Sequence, residues 1–341
     1  MPRRRVTFSR NLTLSLSRTC RCYCKYCAFA THQAHLHEPD EVLALLDRAS
    51  RRSVKELLVL TGEHPEVNPE VRARLQTWGH EDFTAYVVWT CARALERGLL
   101  PHTNLGVLSR DDLARLREVT ASQGLMLESV NPDLVVHQGS PTKDPARRLE
   151  TIAAAGELRI PFTSGILVGI GESEDERVAA LEALAEVHAE HGHLQEVILQ
   201  NFVPHRRYYG EEPADIATAS AERFWRTGVS DASHRDLPEW ATPVSIEEMK
   251  RLIGEAQRLL PGQPIWAEFV FQLLEGFTNV ETDGELRPTH GFLQPETWLK
   301  ALRHAGFAEV SIEPDVFSIR EIYSHFYTGA VCGRRPENNP R

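Results

Sequence analysis

Asn11-Leu-Thr-Leu-Ser-Leu-Ser17 runs through Arg18-Thr into Cys20-Arg-Cys-Tyr-Cys24-Lys-Tyr-Cys27. The first seven residues alternate polar and apolar side chains, the period of a strand with two unlike faces. The loop that follows holds four cysteines within eight residues. In a doubly wound dinucleotide-binding sheet this position carries a glycine-rich turn that cradles a pyrophosphate. Here it carries thiols, so the strand serves a different chemistry.

Outward from this strand, short β-rich runs alternate with longer amphipathic ones. Strands are expected at 11–17, 54–62, 101–107, 124–129, 161–171 and 194–202, with helices near 39–52, 82–97, 109–119, 144–156 and 173–190. Ser109 precedes Arg-Asp-Asp and Ser173 precedes Glu-Asp-Glu, caps and acids at positive helix ends. Val178, Leu181, Leu184 and Val187 recur at helical spacing. This alternation predicts an α/β protein built of βαβ units on a parallel sheet. Six units in about 200 residues suit a full or partial (β/α) barrel, with a doubly wound sheet as the alternative. The barrel core is expected over 1–260. A connecting region at 203–243, with a short helix at 219–227, precedes a helix at 245–260. A distinct α/β segment at 261–341 follows, with strands at 265–272 and 310–313 and a helix at 295–305.

Composition narrows the class. The chain has 341 residues, 42% hydrophobic and 25% charged, with a formal net charge of −10. That balance offers no global field for nucleic acid or anionic lipid. No apolar run approaches the roughly 18–20 residues of a membrane span. No apolar stretch follows the basic Met1-Pro-Arg-Arg-Arg5 as a signal peptide would require. A cytoplasmic protein is expected. Of six cysteines only Cys91 and Cys332 stand apart from the loop. A disulfide framework would spread them along a small secreted chain, so the cluster reads as metal ligation or redox chemistry.

Cys20, Cys24 and Cys27 have the spacing C-x3-C-x2-C. Three thiolates on one loop can hold three irons of a [4Fe-4S] cubane and leave the fourth open to S-adenosylmethionine (SAM). The alternative is a zinc knot, for which no second cysteine or histidine half-site is visible. Cys22 is either a spare thiol or a fourth ligand that would close the site. Tyr26 could cover the cluster or approach the adenine. Glu63, in Thr61-Gly62-Glu63 at the end of the second strand, could accept the SAM ammonium, or simply belong to a turn. Gly165, Gly169 and Glu172 lie in a run ending the fifth strand, where glycines leave room for adenine or ribose. Glu128 and Ser129 end the fourth strand and Gln200 the sixth, placing polar groups at the mouth of a barrel. Each of these could instead be a cap or loop anchor. His102, on the third strand, is the histidine best placed for proton transfer, and Glu128 is a second catalytic candidate. Arg206-Arg207-Tyr208-Tyr209 could grip a polar small-molecule substrate.

Residues from about 6 to 260 resemble the CofG-type subunit of FO synthase, a radical SAM enzyme of deazaflavin biosynthesis. The matching runs include 20–29, Leu-Thr-Gly-Glu-His-Pro-Glu at 60–66 and Leu-Pro-His-Thr-Asn-Leu-Gly-Val-Leu at 100–108. They continue through 120–129, 139–145, 155–172 and 192–202. The resemblance implies that SAM is reduced to methionine and a 5′-deoxyadenosyl radical. That radical takes hydrogen from an adduct of a 4-hydroxybenzyl group and a ribitylaminouracil, and ring closure with loss of ammonia gives FO. It implies Cys20, Cys24 and Cys27 as cluster ligands, and Glu63 and 165–172 as SAM-binding strand ends. It also implies a CofH-type partner that supplies the adduct, with a separate electron donor. The family's usual C-terminal strand and glycine-rich segment are absent after Leu260. Residues 261–335 instead resemble the end of a class I methyltransferase without its SAM loop. A related radical SAM reaction on another aromatic or ribityl substrate, or a non-catalytic metal-binding protein, are the competing expectations.

Overall fold

The computed structural model describes residues 11–27, 29–52, 54–202, 238–242, 244–263, 265–267, 308–317 and 328–334. Seven strands form one sheet: β1 (Asn11–Ser17), β2 (Glu56–Thr61), β3 (Leu100–Asn104), β4 (Ser122–Gly124), β5 (Phe162–Val168), β6 (Leu194–Asn201) and β7 (Ile265–Ala267). Every neighbouring pair is parallel and the spatial order is the chain order. A doubly wound sheet reverses its strand order at a switch point. No reversal occurs here, so the barrel-type winding holds and the doubly wound alternative falls. Among the described residues no pairing joins β7 back to β1, the partial form of such a barrel.

The connections are α1 (Pro39–Arg51), α2 (Pro69–Thr77), α3 (Phe83–Leu95), α4 (Arg110–Arg117), α5 (Pro145–Glu157) and α6 (Glu174–His191), with α7 (Ile246–Leu259) before β7. Ser109 Oγ accepts from the Asp112 N–H, and Ser173 forms a reciprocal capping box with Glu176. Ser245 and Glu248 open α7 in the same way. Helix α2 was not expected. It is short, buries only Val71 and Leu75, and starts on an Asn68 cap followed by Pro69. Among the described residues no helix is long and apolar enough to cross a membrane.

The sheet has two unlike faces. Leu12, Leu14 and Leu16 of β1 and Leu57 and Val59 of β2 are buried on the outer face. Farther round, Ile166, Val168, Val197 and Leu199 share one apolar cluster with Ile152 and Ala155 of α5, Leu181 and Leu184 of α6, and Met249 and Leu252 of α7. Burying each large aliphatic side chain contributes roughly 1.5–3 kcal/mol. On the inner face Thr13, Ser15, Leu58, Leu60, Asn104, Ile198 and Gln200 are only half-buried.

Two strand expectations need correction. The fourth hydrogen-bonded strand is 122–124 rather than 124–129. Beyond it the chain stays beside β5 through Leu125 N–H to Thr163 O (3.0 Å) and Glu128 N–H to Gly165 O (3.1 Å). Glu128 turns left-handed at φ 69°, which ends the regular ladder. Gly165 was expected at a strand end with room for a nucleoside. It lies within β5, where a Cβ would sit 2.1 Å from the Ile198 carbonyl oxygen and 2.8 Å from Met126 Cε. The missing side chain lets β6 pack beside β5.

β7 pairs with β6 and carries the first compact unit past residue 260. In a second unit β8 (Ala308–Phe317) and β9 (Thr328–Arg334) pair antiparallel, and β8 contains the strand expected at 310–313. The helices expected at 219–227 and 295–305, and the Arg206–Tyr209 cluster, lie outside the described residues, as does most of the methyltransferase-like stretch.

Because the Gly165 contact is backbone to backbone, Gly165→Ala is expected to cost at least about 2 kcal/mol. Denaturant unfolding of the full chain measures it; an unchanged midpoint would contradict the contact.

Candidate cluster and cofactor site

The cysteine loop leaves β1 and lies against the end of β2. Gly62 makes this possible: a Cβ there would stand 2.0 Å from Thr19 O and 2.9 Å from Cys20 Cβ. Gly62 N–H donates to Ser17 O (2.8 Å), and Arg21 N–H donates to Glu63 O (2.9 Å). Cys20 Sγ receives the N–H groups of Cys22 (3.3 Å) and Glu63 (3.2 Å), and Cys27 Sγ that of Ala30 (3.4 Å). On the other side Lys25 N–H donates to Val136 O, and Tyr23 N–H to Ser140 Oγ (2.8 Å). Cys24 Sγ lies 3.5 Å from the same hydroxyl.

Backbone N–H groups aimed at sulfur stabilise thiolates and tune a cluster held by them. Three such cysteines on one loop, two of them with N–H donors, fit a [4Fe-4S] cluster. Cys22 is buried with its Sγ 3.1 Å from Thr142 Oγ1. Pairing with Cys20 pushes the Cys22 thiol up to about 11 and pulls Cys20 below the ordinary thiol range. The Thr142 contact gives the Cys22 thiol a partner outside the C-x3-C-x2-C set, in line with the spare-thiol reading.

Next to the cysteines lies a buried network of charge. Glu63 is 5% exposed, and Gly106, at φ 88°, leaves the space its carboxylate fills. Glu63 Oε2 is 3.8 Å from Arg148 Nη1, whereas Oε1 is buried without a hydrogen-bond partner. Arg148, 3% exposed on α5, donates to Met126 O (2.6 Å) and Thr142 O (3.1 Å). Its other terminal nitrogen stands 4.0 Å from Glu128 Oε1. Lys143 Nζ reaches that same oxygen at 2.6 Å, and the Tyr26 hydroxyl at 3.4 Å. Lys143 also lies over the Tyr26 ring, whose hydroxyl is 3.2 Å from His137 Nε2. Burial pushes the Glu128 carboxyl up, but Lys143 and Arg148 outweigh it and hold the group below the ordinary carboxylate range.

These groups suit the amino-acid end of SAM. The orphaned Glu63 oxygen is what a bound ammonium would satisfy, since an unpaired buried acceptor costs free energy. Arg148 is placed to take the carboxylate, and Glu128, held ionised, to accept from ribose hydroxyls. Arg148 and Lys143 carry no sequence motif of their own. Only the fold brings a helix residue and a loop residue onto strand-end carboxylates.

Other candidates have different tasks. Glu172 accepts from the N–H groups of Gly169 and Ile170 (both 2.7 Å) and pairs with Arg177 at 2.5 Å. Its oxygens anchor their own loop. A Cβ at Gly169 (φ 95°) would meet Thr242 O at 2.8 Å, so this glycine admits neighbouring backbone. Ser129 Oγ accepts from Asn131 N–H, a turn anchor. Gln200 is half-buried on the inner face and makes no hydrogen bond among the described residues. His102 is buried on that face, its Nδ1 2.7 Å from Ser122 Oγ. Burial depresses it to about 4, so the ring is neutral near pH 7.

Residues 14–184 match the model of the radical SAM superfamily. The chain is 46% identical over 292 residues to the 7,8-didemethyl-8-hydroxy-5-deazariboflavin synthase of Methanoculleus marisnigri, covering 75% of this chain and 88% of that one. It is 43% identical over 203 residues to the same-named protein of Methanosarcina mazei, spanning 58% of this chain and only 60% of that relative. Among solved structures, the [FeFe]-hydrogenase maturase HydG superposes with a TM-score of 0.54 at 18% identity, covering 75% of this chain and 52% of HydG.

Two outcomes test this geometry. Cys22→Ala is expected to keep the iron and sulfide content of the parent after anaerobic reconstitution, whereas Cys24→Ala loses it; elemental analysis decides. For His102 the folded value is depressed, so its contribution is present above the unfolded value near 6.5 and is lost as pH falls toward 4. His102→Gln should therefore flatten stability against pH in that window by up to about one proton, or about 1.4 kcal/mol per pH unit. An unaltered slope would show that the imidazole is not held neutral.

Proposed function

Since the chain belongs to the radical SAM superfamily, and within it to the 7,8-didemethyl-8-hydroxy-5-deazariboflavin (FO) synthases, we propose that it synthesises the deazaflavin FO. The substrate is the 5-amino-5-(4-hydroxybenzyl)-6-(ribitylimino)dihydrouracil adduct supplied by a CofH-type partner, and closure of the new ring releases ammonia. When bound, the cluster and SAM supply a 5′-deoxyadenosyl radical that removes hydrogen from this adduct.

The protein's own part is binding, orientation and exclusion of water. Cys20, Cys24 and Cys27 hold the cluster, and the backbone N–H groups of Cys22, Glu63 and Ala30 steady the sulfurs. Glu63 and Arg148 grip the zwitterionic end of SAM. Tyr26, half-buried against Leu134, Val136, Leu167 and Ile170, keeps water from the loop. Lys143 fixes Glu128, leaving one carboxylate edge for the ribose. The observation that carries this reading is the orphaned Glu63 Oε1 beside Cys20. A buried carboxylate oxygen without a partner next to a cluster loop is what a bound cation would satisfy.

Anaerobic reconstitution with iron and sulfide, then SAM and a strong reductant, should yield 5′-deoxyadenosine. With the adduct present it should also yield FO fluorescence. SAM cleavage without FO would mean another substrate, and no cleavage would overturn the radical reading altogether. Glu63→Gln is expected to lower SAM cleavage by about 10²-fold while leaving the cluster absorbance intact, because it removes one charge-assisted hydrogen bond.

A further inference from the structure

Below the charged mouth, the inner face of the sheet has a different character. Register places Thr13, Leu58, His102 and Ser122 side by side across β1 to β4, and Ser15, Leu60, Asn104 and Gly124 in the next row toward the mouth. Paired residues of a parallel ladder share a face, and neighbouring strands lie about 4.8 Å apart. Thr13, Ser15 and Asn104 are half-buried, and their side chains make no hydrogen bond among the described residues. His102 uses Nδ1 on Ser122, and its Nε2 makes none among them. Gly124 leaves that ring its space, with His102 Nε2 3.0 Å from where a Cβ would be. Half-buried polar groups without protein partners hold water that a polar ligand can replace hydrogen bond for hydrogen bond.

Every polar group in these two rows is uncharged: three hydroxyls, an amide and an imidazole held neutral. The cations of the described site, Arg148 and Lys143, stand at the mouth beside Glu63 and Glu128 rather than in these rows. Across the sheet Glu196 of β6 adds a negative charge to the same face, its Oε1 accepting from Thr163 Oγ1 at 2.8 Å. We infer that the inner face of β1 and β3 is a subsite for a neutral polyhydroxylated chain, with Thr13, Ser15, His102 and Asn104 as its hydrogen-bond partners, and that it rejects a phosphorylated one. Donors and acceptors about 5–10 Å apart over two rows match the reach of a five-carbon polyol, whose hydroxyls both donate and accept. This rests on the FO reading, in which the polyol is the ribityl tail of the adduct. It adds which residues read the tail and which form of it is excluded.

Calorimetry on the anaerobically reconstituted full chain tests it with three probes: 5-amino-6-(ribitylamino)uracil, its 5′-phosphate, and 5-amino-6-(methylamino)uracil. The ribityl compound should bind about 100-fold more tightly than either of the others. Asn104→Leu and Thr13→Val should each remove about tenfold of that advantage while leaving the methyl compound and SAM unaffected. Retained SAM binding shows that a variant is folded; should Asn104→Leu fail this check, Thr13→Val and Ser15→Ala on another strand carry the test. Equal affinity for ribityl and methyl compounds, equal weakening of both, or tight binding of the phosphate would each overturn the subsite. FO formation by the parent, assayed alongside, separates the two ideas. FO without ribityl discrimination sinks the subsite alone, and discrimination without FO sinks the reaction alone.

Discussion

One buried guanidinium organises the mouth of this sheet. Arg148 stands between Glu63 and Glu128 and also holds the carbonyls of Met126 and Thr142. An unpaired ion in such a place costs several kcal/mol, and Arg148 is the cation that faces both carboxylates. Lys143 brings the count to two cations against two anions. A zwitterion adds no net charge to that balance, so an amino acid's ammonium and carboxylate can enter without leaving an excess. The arrangement is slack at Glu63, and at His137 Nδ1. Glu63 Oε1 has no partner, whereas Glu128 Oε1 has three polar groups within 4.0 Å.

Backbone geometry brings these groups together. The missing Cβ of Gly62 lets the cysteine loop touch β2, and the missing Cβ of Gly106 makes room for Glu63. Glu128 adopts a left-handed conformation that costs a non-glycine residue roughly 1–2 kcal/mol. That cost is sustained because Glu128 N–H and C=O still bond to Gly165 O and Leu167 N–H of β5. The strain redirects a strand that would otherwise continue regularly, and its carboxylate joins Lys143 and Arg148. Strain, charge and turn are thus one feature.

Much of this was legible in the residues. The period-2 pattern of 11–17 and the serine caps before α4 and α6 are local signals, and they place β1, α4 and α6 within two residues. The placement of the cysteine loop and of Glu63 at the ends of successive strands was readable because it depends on position along the chain. Arg148 and Lys143 were not, since their meaning lies in contacts with Glu63 and Glu128, which the chain reaches only through folding. Gly165, Gly169 and Glu172 show an ambiguity of the opposite kind. Glycines and an acid after a strand resemble a ligand cradle, yet one glycine admits a neighbouring strand, another a neighbouring backbone, and the acid caps its own loop. From sequence a close approach of ligand and a close approach of chain look alike, because both require only the absence of a side chain.

The separation of charge along the sheet follows from the same physics. Ion pairs stand where Arg148 and Lys143 can reach from the α5 helix and the loop before it, at the carboxyl ends of β2 and β4. Deeper, on β1 and β3, the described residues bring no ion pair to the inner rows, and a buried charge there would remain unpaired. The inner rows can therefore be polar only by being neutral, as Thr13, Ser15, His102 and Asn104 are. His102 meets this constraint by titrating far below neutrality while keeping Nδ1 on Ser122. A ligand that is charged at one end and neutral along the other thus has only one direction in which it can lie.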